Sequence, residues 1–272
     1  MKYTILHFSD VHFPAEISCR SFLDKRILGC CNSLLVRKGK YKLEYFRKAI
    51  PQFLKKKPSL FVFTGDAVST ADPREFQKAL IAFQPLIDSG IPILYVPGNH
   101  DLYVRDRQCR AAMEQFYSTL NGGRSYSDAP WIFDGGLVRI AAIHCAKPLS
   151  WYFSCGVMTG QTSEFLRKEM ENTASSAPLL LAGHFPVITD HPWLDFRRKL
   201  YHAEIAAEGL ENGKIALSMC GHIHQGYERT LPSGSMELCA GSLTKHGSYL
   251  EITYDPEEKS GSGFCVTRHF VD

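Results

Sequence analysis

Six short apolar runs, each stopping abruptly at a polar block, constrain this chain more than any other feature. They cover 3–8 before Ser9-Asp10, 60–63 before Gly65-Asp66, 91–96 before Gly98-Asn99-His100-Asp101, 137–143 before His144, 179–182 before Gly183-His184, and 215–220 before Gly221-His222. Near-continuous Val, Ile, Leu and Phe over so few residues reads as strand buried on both faces. Between the runs, 43–54, 74–87, 162–172 and 196–208 carry the apolar spacing of amphipathic helices. Strands alternating with helices predict an α/β fold with a largely parallel or mixed sheet. After residue 213 the pattern changes to short strands over 236–240, 249–254 and 264–270. They are separated by Pro232-Ser233-Gly234-Ser235 and Ser260-Gly261-Ser262-Gly263, which predicts a closing run of hairpins. No linker or repeat interrupts residues 1–272, so a single domain is expected.

The nine cysteines show no C-x-x-C pairing, and most sit in apolar runs, where a reduced thiol packs as a small hydrophobe. The first residues lack the apolar stretch of a signal peptide, and no window reaches the roughly 18–20 apolar residues of a membrane span. A soluble protein of a reducing cytoplasm is the expectation.

Charge is distributed unevenly. Residues 14–57 hold twelve Lys or Arg against three acids, a local +9 in a chain whose net charge is only +3. Within this stretch Leu23, Ile27, Cys30, Cys31 and Leu34 recur on one face of a helix. The segment, and 14–40 in particular, reads as an insert or cap. A basic amphipathic helix there suits an anionic membrane surface or a phosphate-rich substrate; a solvated surface helix is the plainer reading.

The polar blocks at the strand ends carry a selected chemistry, and ligands of open α/β sheets gather at the carboxyl ends of strands. Asp10-Val11-His12, Gly65-Asp66, Gly98-Asn99-His100-Asp101, Gly183-His184 and Gly221-His222-Ile223-His224 supply carboxylate oxygen and imidazole nitrogen without thiolate. That set suits Mn, Fe or Zn and disfavours a structural zinc knot. Asp10 with His12, and His222 with His224, project to one side if extended backbone persists beyond the strand. Together the blocks offer too many ligands for one tetrahedral ion; two ions sharing a carboxylate would use them all. Outside the blocks, His7 reads as a core or supporting residue and His144 as a supporting or substrate-facing one. His191, His202, His246 and His269 read as surface. No G-x-S-x-G, H-E-x-x-H or G-x-x-x-x-G-K-[ST] pattern offers a competing chemistry.

In these blocks the sequence resembles the calcineurin-like metallophosphoesterase family, whose pattern is D-x-H, G-D, G-N-H-D or G-N-H-E, G-H and G-H-x-H. The resemblance spans Asp10 to His224. It implies a four-layer αββα sandwich of two mixed β-sheets with flanking helices, and a dinuclear metal site. Carried over by position, one ion takes Asp10, His12, Asp66 and His224, and the other takes Asp66, Asn99, His184 and His222. His100 then approaches the scissile phosphate without binding metal, and Asp101 orients it. The stretch after Gly65-Asp66, Ala67-Val68-Ser69-Thr70, lacks the Asn that many members carry. The implied cofactors are two divalent ions, Mn foremost and Fe or Zn as alternatives. The implied activity is hydrolysis of a phosphodiester or pyrophosphate by a metal-bridging hydroxide.

Two likenesses within the family point to different substrates. Cys220-Gly221-His222-Ile223-His224-Gln225 looks like the block of bacterial cyclic-nucleotide phosphodiesterases. The basic segment is similar to that of members that hydrolyse nucleotide-linked lipids at membranes. The expected partners are thus a phosphate-ester substrate and, through 14–57, an anionic membrane surface; no nucleic-acid polymer is required. A non-catalytic interaction scaffold on the same fold is the alternative.

Overall fold

The computed structural model describes residues 2–16, 25–27, 39–149, 153–188, 198–258 and 262–271. The apolar runs become the central strands of two sheets. β1 (Tyr3–Phe8), β2 (Leu60–Phe63) and β3 (Ile93–Tyr95) run parallel, and β12 (Ser248–Tyr254) and β13 (Phe264–Phe270) extend the sheet antiparallel beyond β1 in the order β13-β12-β1-β2-β3. The second sheet has the order β10-β11-β9-β7-β5-β4. Its parallel centre is β5 (Arg139–Ala142), β7 (Leu179–Ala182), β9 (Leu217–Cys220) and β11 (Met236–Cys239), with antiparallel edges β4 (Trp131–Asp134) and β10 (Tyr227–Thr230). A two-stranded parallel ribbon joins β6 (Gly156–Val157) to β8 (Leu200–Tyr201).

Alternation along each strand produces the layers. Ile5 of β1, Leu60 and Val62 of β2 and Leu94 of β3 share one buried cluster with Leu180 and Ala182 of β7 and Leu217 and Met219 of β9, which fills the space between the sheets. The intervening residues point outward. Leu6, Phe8, Phe61 and Phe63 pack beneath α1 (Leu43–Lys56) and α2 (Pro73–Asp88), where Phe46, Phe53 and Phe83 meet Phe8 at ring centroid distances of 5.2–6.4 Å. α3 (Arg107–Leu120) lies against α2 and β3. α4 (Gly160–Glu171) and α5 (Glu204–Glu211) cover the outer face of the second sheet through Leu166, Ala206 and Leu210. A one-turn α6 (Leu243–His246) packs on α1. The result is the expected four-layer sandwich.

Several local expectations differ. The C-terminal strands do not form one run of hairpins: β10–β11 closes the second sheet, while β12–β13 crosses to the first. The helix expected over 196–208 is not continuous: residues 196–197 lie outside the described residues, Arg198 is helical, Leu200–Tyr201 pairs with β6, His202 takes a left-handed φ of 60°, and α5 begins at Glu204. α3 was not among the expected helices, although its apolar face of Cys109, Met113, Phe116, Tyr117 and Leu120 has regular helical spacing. Apart from residues 25–27, the amphipathic helix expected around 23–34 lies outside the described residues, as does His191. Among the described residues no helix is long and apolar enough to cross a membrane. Cys109, Cys145, Cys155, Cys220 and Cys239 are free and buried, and Cys265 is free and exposed.

Candidate metal centre

All five polar blocks converge where the carboxyl ends of β1, β2, β3, β7 and β9 meet across the two sheets. The loops are stitched to one another by backbone: Asp10 N–H donates to Gly65 O at 3.0 Å, His12 N–H to Asp66 O at 2.9 Å, and Gly221 N–H to His184 O at 2.9 Å. The sheets are joined by side chains, His184 Nδ1–H donating to Thr64 O at 2.6 Å and His222 N–H to Asp10 Oδ2 at 3.0 Å.

The paired residues do not reach the site by strand alternation. Asp10, His12, Asp66, His222 and His224 all have left-handed φ values, 54°, 50°, 56°, 70° and 61°. Each such conformation costs an L-residue about 1–2 kcal/mol. Local backbone strain of this kind persists only where the surroundings over-determine it. The surroundings leave no slack: a Cβ on Gly98 would run into Asp66 Oδ1 and His184 Cε1, and one on Gly221 into Ser9 Oγ and Asp10 Oδ2.

One ligand atom each from Asp10, His12, Asp66 and His224 lies within 4.8 Å of the others. His12 Nε2 and His224 Nε2 face each other at 3.0 Å, with Asp10 Oδ1 3.2 Å from His224 Nε2 and Asp66 Oδ2 3.6 Å from His12 Nε2. On the other side of Asp66, the same Oδ2 stands 3.5 Å from His184 Nε2, which in turn is 3.2 Å from Asn99 Oδ1. The His222 ring adjoins His184 at a centroid distance of 5.1 Å.

These residues fit divalent cations. Asp10 Oδ1 and His222 Nε2 are buried without a hydrogen-bond partner, a costly state for a polar atom that metal ligation would relieve. The tautomers agree, because carbonyl oxygens can only accept: His12 Nδ1–H donates to Val68 O at 3.4 Å and His184 Nδ1–H to Thr64 O, so each leaves Nε2 as a lone pair facing inward. His224 Nδ1 meets the Tyr41 hydroxyl at 2.9 Å.

Electrostatics lead to the same conclusion. Among the described residues no Lys or Arg forms an ion pair with the buried Asp10 or Asp66. Burial alone would raise both carboxyls, but the imidazoles of His224 and His12 hold Asp10, and those of His184 and His100 hold Asp66, below the usual carboxylate range. Burial also opposes charge on His184, yet Asp66 pulls it up to about 9, whereas burial and the His184 charge push His222 down to about 3. Without metal the cluster thus needs an imidazolium to balance its carboxylates. Metal binding would replace that proton.

His100 sits at the rim. Its N–H donates to Asp66 Oδ1 at 2.8 Å, its ring lies edge-on to His12 with centroids 4.9 Å apart, and it stacks on Tyr103 at 5.3 Å and 7°. Nδ1 meets Ser69 O at 2.6 Å. The Asp101 carboxylate accepts from backbone, from Asp66 N at 2.8 Å, Gly98 N at 2.8 Å and Val68 N at 3.2 Å. Asp101 shapes the loops that present Asp66 and Asn99, and burial followed by the Asp66 charge pushes its carboxyl up to about 7.

Other histidines fall where their surroundings suit them. His7 is buried in β1 with Nε2 2.9 Å from Thr64 Oγ1, directly behind the centre. His144 stacks on Tyr126 and stands edge-on to Tyr117. His202 and His246 are exposed, and His269 pairs with Glu251. The basic segment touches the site at two described places. Tyr41 reaches His224, and Lys25 Nζ lies 4.2 Å over the Tyr103 ring that stacks on His100.

The sequence reading missed Tyr41, Tyr103 and Glu75. Asp72-Pro73-Arg74-Glu75 reads as a helix-capping box; Asp72 does cap α2, accepting from Arg74 N, but Glu75 turns away to the 69–70 loop. No local pattern marks Tyr41.

The fold and site have known counterparts. A dimetal phosphatase from Danio rerio superposes with a TM-score of 0.68 at 14% identity, covering 99% of each chain. The protein TT1561 of Thermus thermophilus gives 0.58 at 13% identity over 100% of each. A purple acid phosphatase from yellow lupin gives 0.59 at 11% identity, covering 98% of this chain and 53% of that one. No curated protein sequence matches. The family model of calcineurin-like phosphoesterases matches residues 3–226. That match covers most of the sequence and every one of the ligand-bearing blocks, and the chain belongs to the calcineurin-like phosphoesterase family.

Proposed function

We propose that this chain is a dinuclear metal-dependent phosphohydrolase acting on a phosphodiester or pyrophosphate bond, with Asp10, His12, Asp66 and His224 holding one ion and Asp66, Asn99, His184 and His222 the other. The observation that carries the reading is the pair of orphaned buried ligand atoms, Asp10 Oδ1 and His222 Nε2, flanking Asp66 in a centre with no Lys or Arg ion pair among the described residues. When bound, the two cations supply Lewis acidity and an activated water near neutral pH. Mn suits this oxygen and imidazole set, with Fe or Zn as alternatives.

The chain's own residues do the rest. His100 faces the centre from the rim with Nδ1–H committed to Ser69 O, so that, once the ring is protonated to imidazolium, Nε2–H is the group that gives its proton to the leaving oxygen and returns the ring to the neutral Nδ1–H tautomer. Its backbone N–H fixes the second oxygen of Asp66, so ligand and proton donor move as one unit. Tyr103, stacked flat on the ring, limits its rotation. Lys25 and Tyr41 bring positive charge and a hydroxyl to the edge, where an anionic substrate would enter. This supports a cap role for the basic segment and a substrate larger than a simple monoester, such as a cyclic nucleotide or a nucleotide-linked lipid. A non-catalytic scaffold would have no use for a non-ligand imidazole oriented in this way.

The test is hydrolysis by metal-stripped protein resupplied with Mn²⁺, comparing bis(p-nitrophenyl) phosphate with p-nitrophenyl phosphate. Metal-dependent cleavage favouring the diester, and lost in Asp66→Ala, is expected. Two bound metals with no cleavage of either ester, before and after removal of residues 14–40, would favour the scaffold.

A further inference from the structure

Glu75 is a carboxylate in an unusual place. It lies on the first turn of α2 with no exposed surface, and among the described residues no Lys or Arg forms an ion pair with it. Both of its oxygens are fully engaged. Oε2 accepts from Ser69 N and Thr70 N, each at 2.9 Å, and Oε1 accepts from Thr70 Oγ1 at 2.5 Å and Glu16 N at 3.0 Å. Four donors converging on one group call for a side chain that only accepts, which a carboxylate is and an amide is not. The loop so held is also fastened from its other side, Ser69 Oγ–H donating to Phe13 O at 2.7 Å. Its one inward-facing carbonyl, Ser69 O, is the partner of His100 Nδ1 at 2.6 Å.

We propose that Glu75 is a positioning residue for His100: by clamping the Ser69–Thr70 peptide it fixes the Ser69 carbonyl as an obligate acceptor, and that carbonyl holds the His100 ring in the Nδ1–H tautomer with Nε2 toward the metal centre. This rests on the reading of His100 as proton donor: the held neutral ring takes a proton at Nε2, and the resulting imidazolium gives that proton to the leaving oxygen. Glu75 touches neither substrate nor metal ligand. It acts at two removes, through a backbone carbonyl. Glu16 N–H ties the loop after His12 to the same carboxylate, so the loops following β1 and β2 are registered by a single group.

Glu75→Gln tests this without changing shape. Either amide orientation sets an NH₂ against at least one backbone N–H, so the 69–70 peptide must shift. In protein carrying ¹⁵N-labelled histidine, with the His100 signals identified by their loss in His100→Ala, the wild-type ring should show the Nδ1–H tautomer alone. Glu75→Gln should show a mixture. In the Mn²⁺-loaded enzyme, Glu75→Gln should retain wild-type metal content and lose kcat by about 10²-fold, the scale of an ångström of misplacement. The loss should grow as the leaving group of a series of aryl phosphodiesters becomes poorer, and Glu75→Gln/His100→Ala should be no slower than His100→Ala. An unchanged tautomer, an equal loss for every leaving group, or losses that multiply in the double variant would each overturn the proposal. If Glu75→Gln does not fold, Thr70→Val, which removes one of the four donors, is read by the same measurements. If wild-type protein cleaves no ester, the functional reading falls, while the tautomer measurement still decides the role of Glu75.

Discussion

The site residues divide by what their second nitrogen or oxygen touches. His12, His184 and His100 each give Nδ1–H to a backbone carbonyl, of Val68, Thr64 and Ser69, and so present Nε2 inward. His224 instead meets a side chain, the Tyr41 hydroxyl. Tyr41→Phe should therefore weaken one Mn²⁺ site by about 10–100-fold, the usual cost of losing such an outer partner, while the other keeps its affinity; a calorimetric titration resolves the two. His100→Ala should leave metal content intact and lower kcat by about 10²–10⁴-fold, which steady-state rates beside a metal assay would show. Gly98→Ala should lose metal binding outright, because the added Cβ meets Asp66 and His184. The identity of these residues was legible in the sequence because five short blocks each combine a rare composition with a strand end. Their means of convergence was not. Alternation beyond the strand was the natural expectation for Asp10 with His12 and for His222 with His224, yet all four take left-handed φ, within loops held by contacts far apart in sequence, Asp10 and His12 by the loop after β2 and His222 by Asp10 of the opposite sheet.

At the level of elements, the apolar runs and the helices between them follow directly from period. α1 buries Phe46, Ala49, Ile50 and Phe53, and β1 alternates between the two cores. What the periodicity could not supply was partner choice: β12 pairs antiparallel with β1 at a distance of nearly the whole chain, so the C-terminal hairpins separate between sheets. One tie across this arrangement is testable by pH. Partial burial would raise the Glu251 carboxyl, but Lys56 of α1 at 2.6 Å and then His269 hold it below its ordinary value. A lowered native pKa adds stability above the unfolded value of about 4.5, and that stability is lost as the pH falls through the native value. Glu251→Gln should lower stability at pH 7 by about 0.2–1 kcal/mol, as partly exposed pairs do, and the gap from wild type should close in acid, as thermal melts at both pH values would show.

For the molecule as a whole, the centre is a seam. Asp10, His12, Asp66 and Asn99 come from the first sheet, and His184, His222 and His224 from the second. Ions bound there tie the sheets together, so metal should stabilise the fold by about 2.7 kcal/mol at a hundredfold excess over Kd. Stripping with chelator should lower Tm accordingly, and acidification through the imidazole range should do the same as protons displace metal. The basic segment is the least legible part. Its charge was plain, but only its contacts through Lys25 and Tyr41 show described residues of it lying against the site. If it also docks on anionic lipid, binding to phosphatidylserine vesicles should exceed binding to neutral ones at low salt and fade as salt rises.

If two ions sharing Asp66 drive hydrolysis, adding Mn²⁺ stepwise to metal-free protein while following bis(p-nitrophenyl) phosphate cleavage should give activity that climbs to a plateau at two ions per chain and is absent in Asp66→Ala. Full activity at one ion per chain, or cleavage by the metal-free protein, would rule out a shared dinuclear centre as the source of the activity.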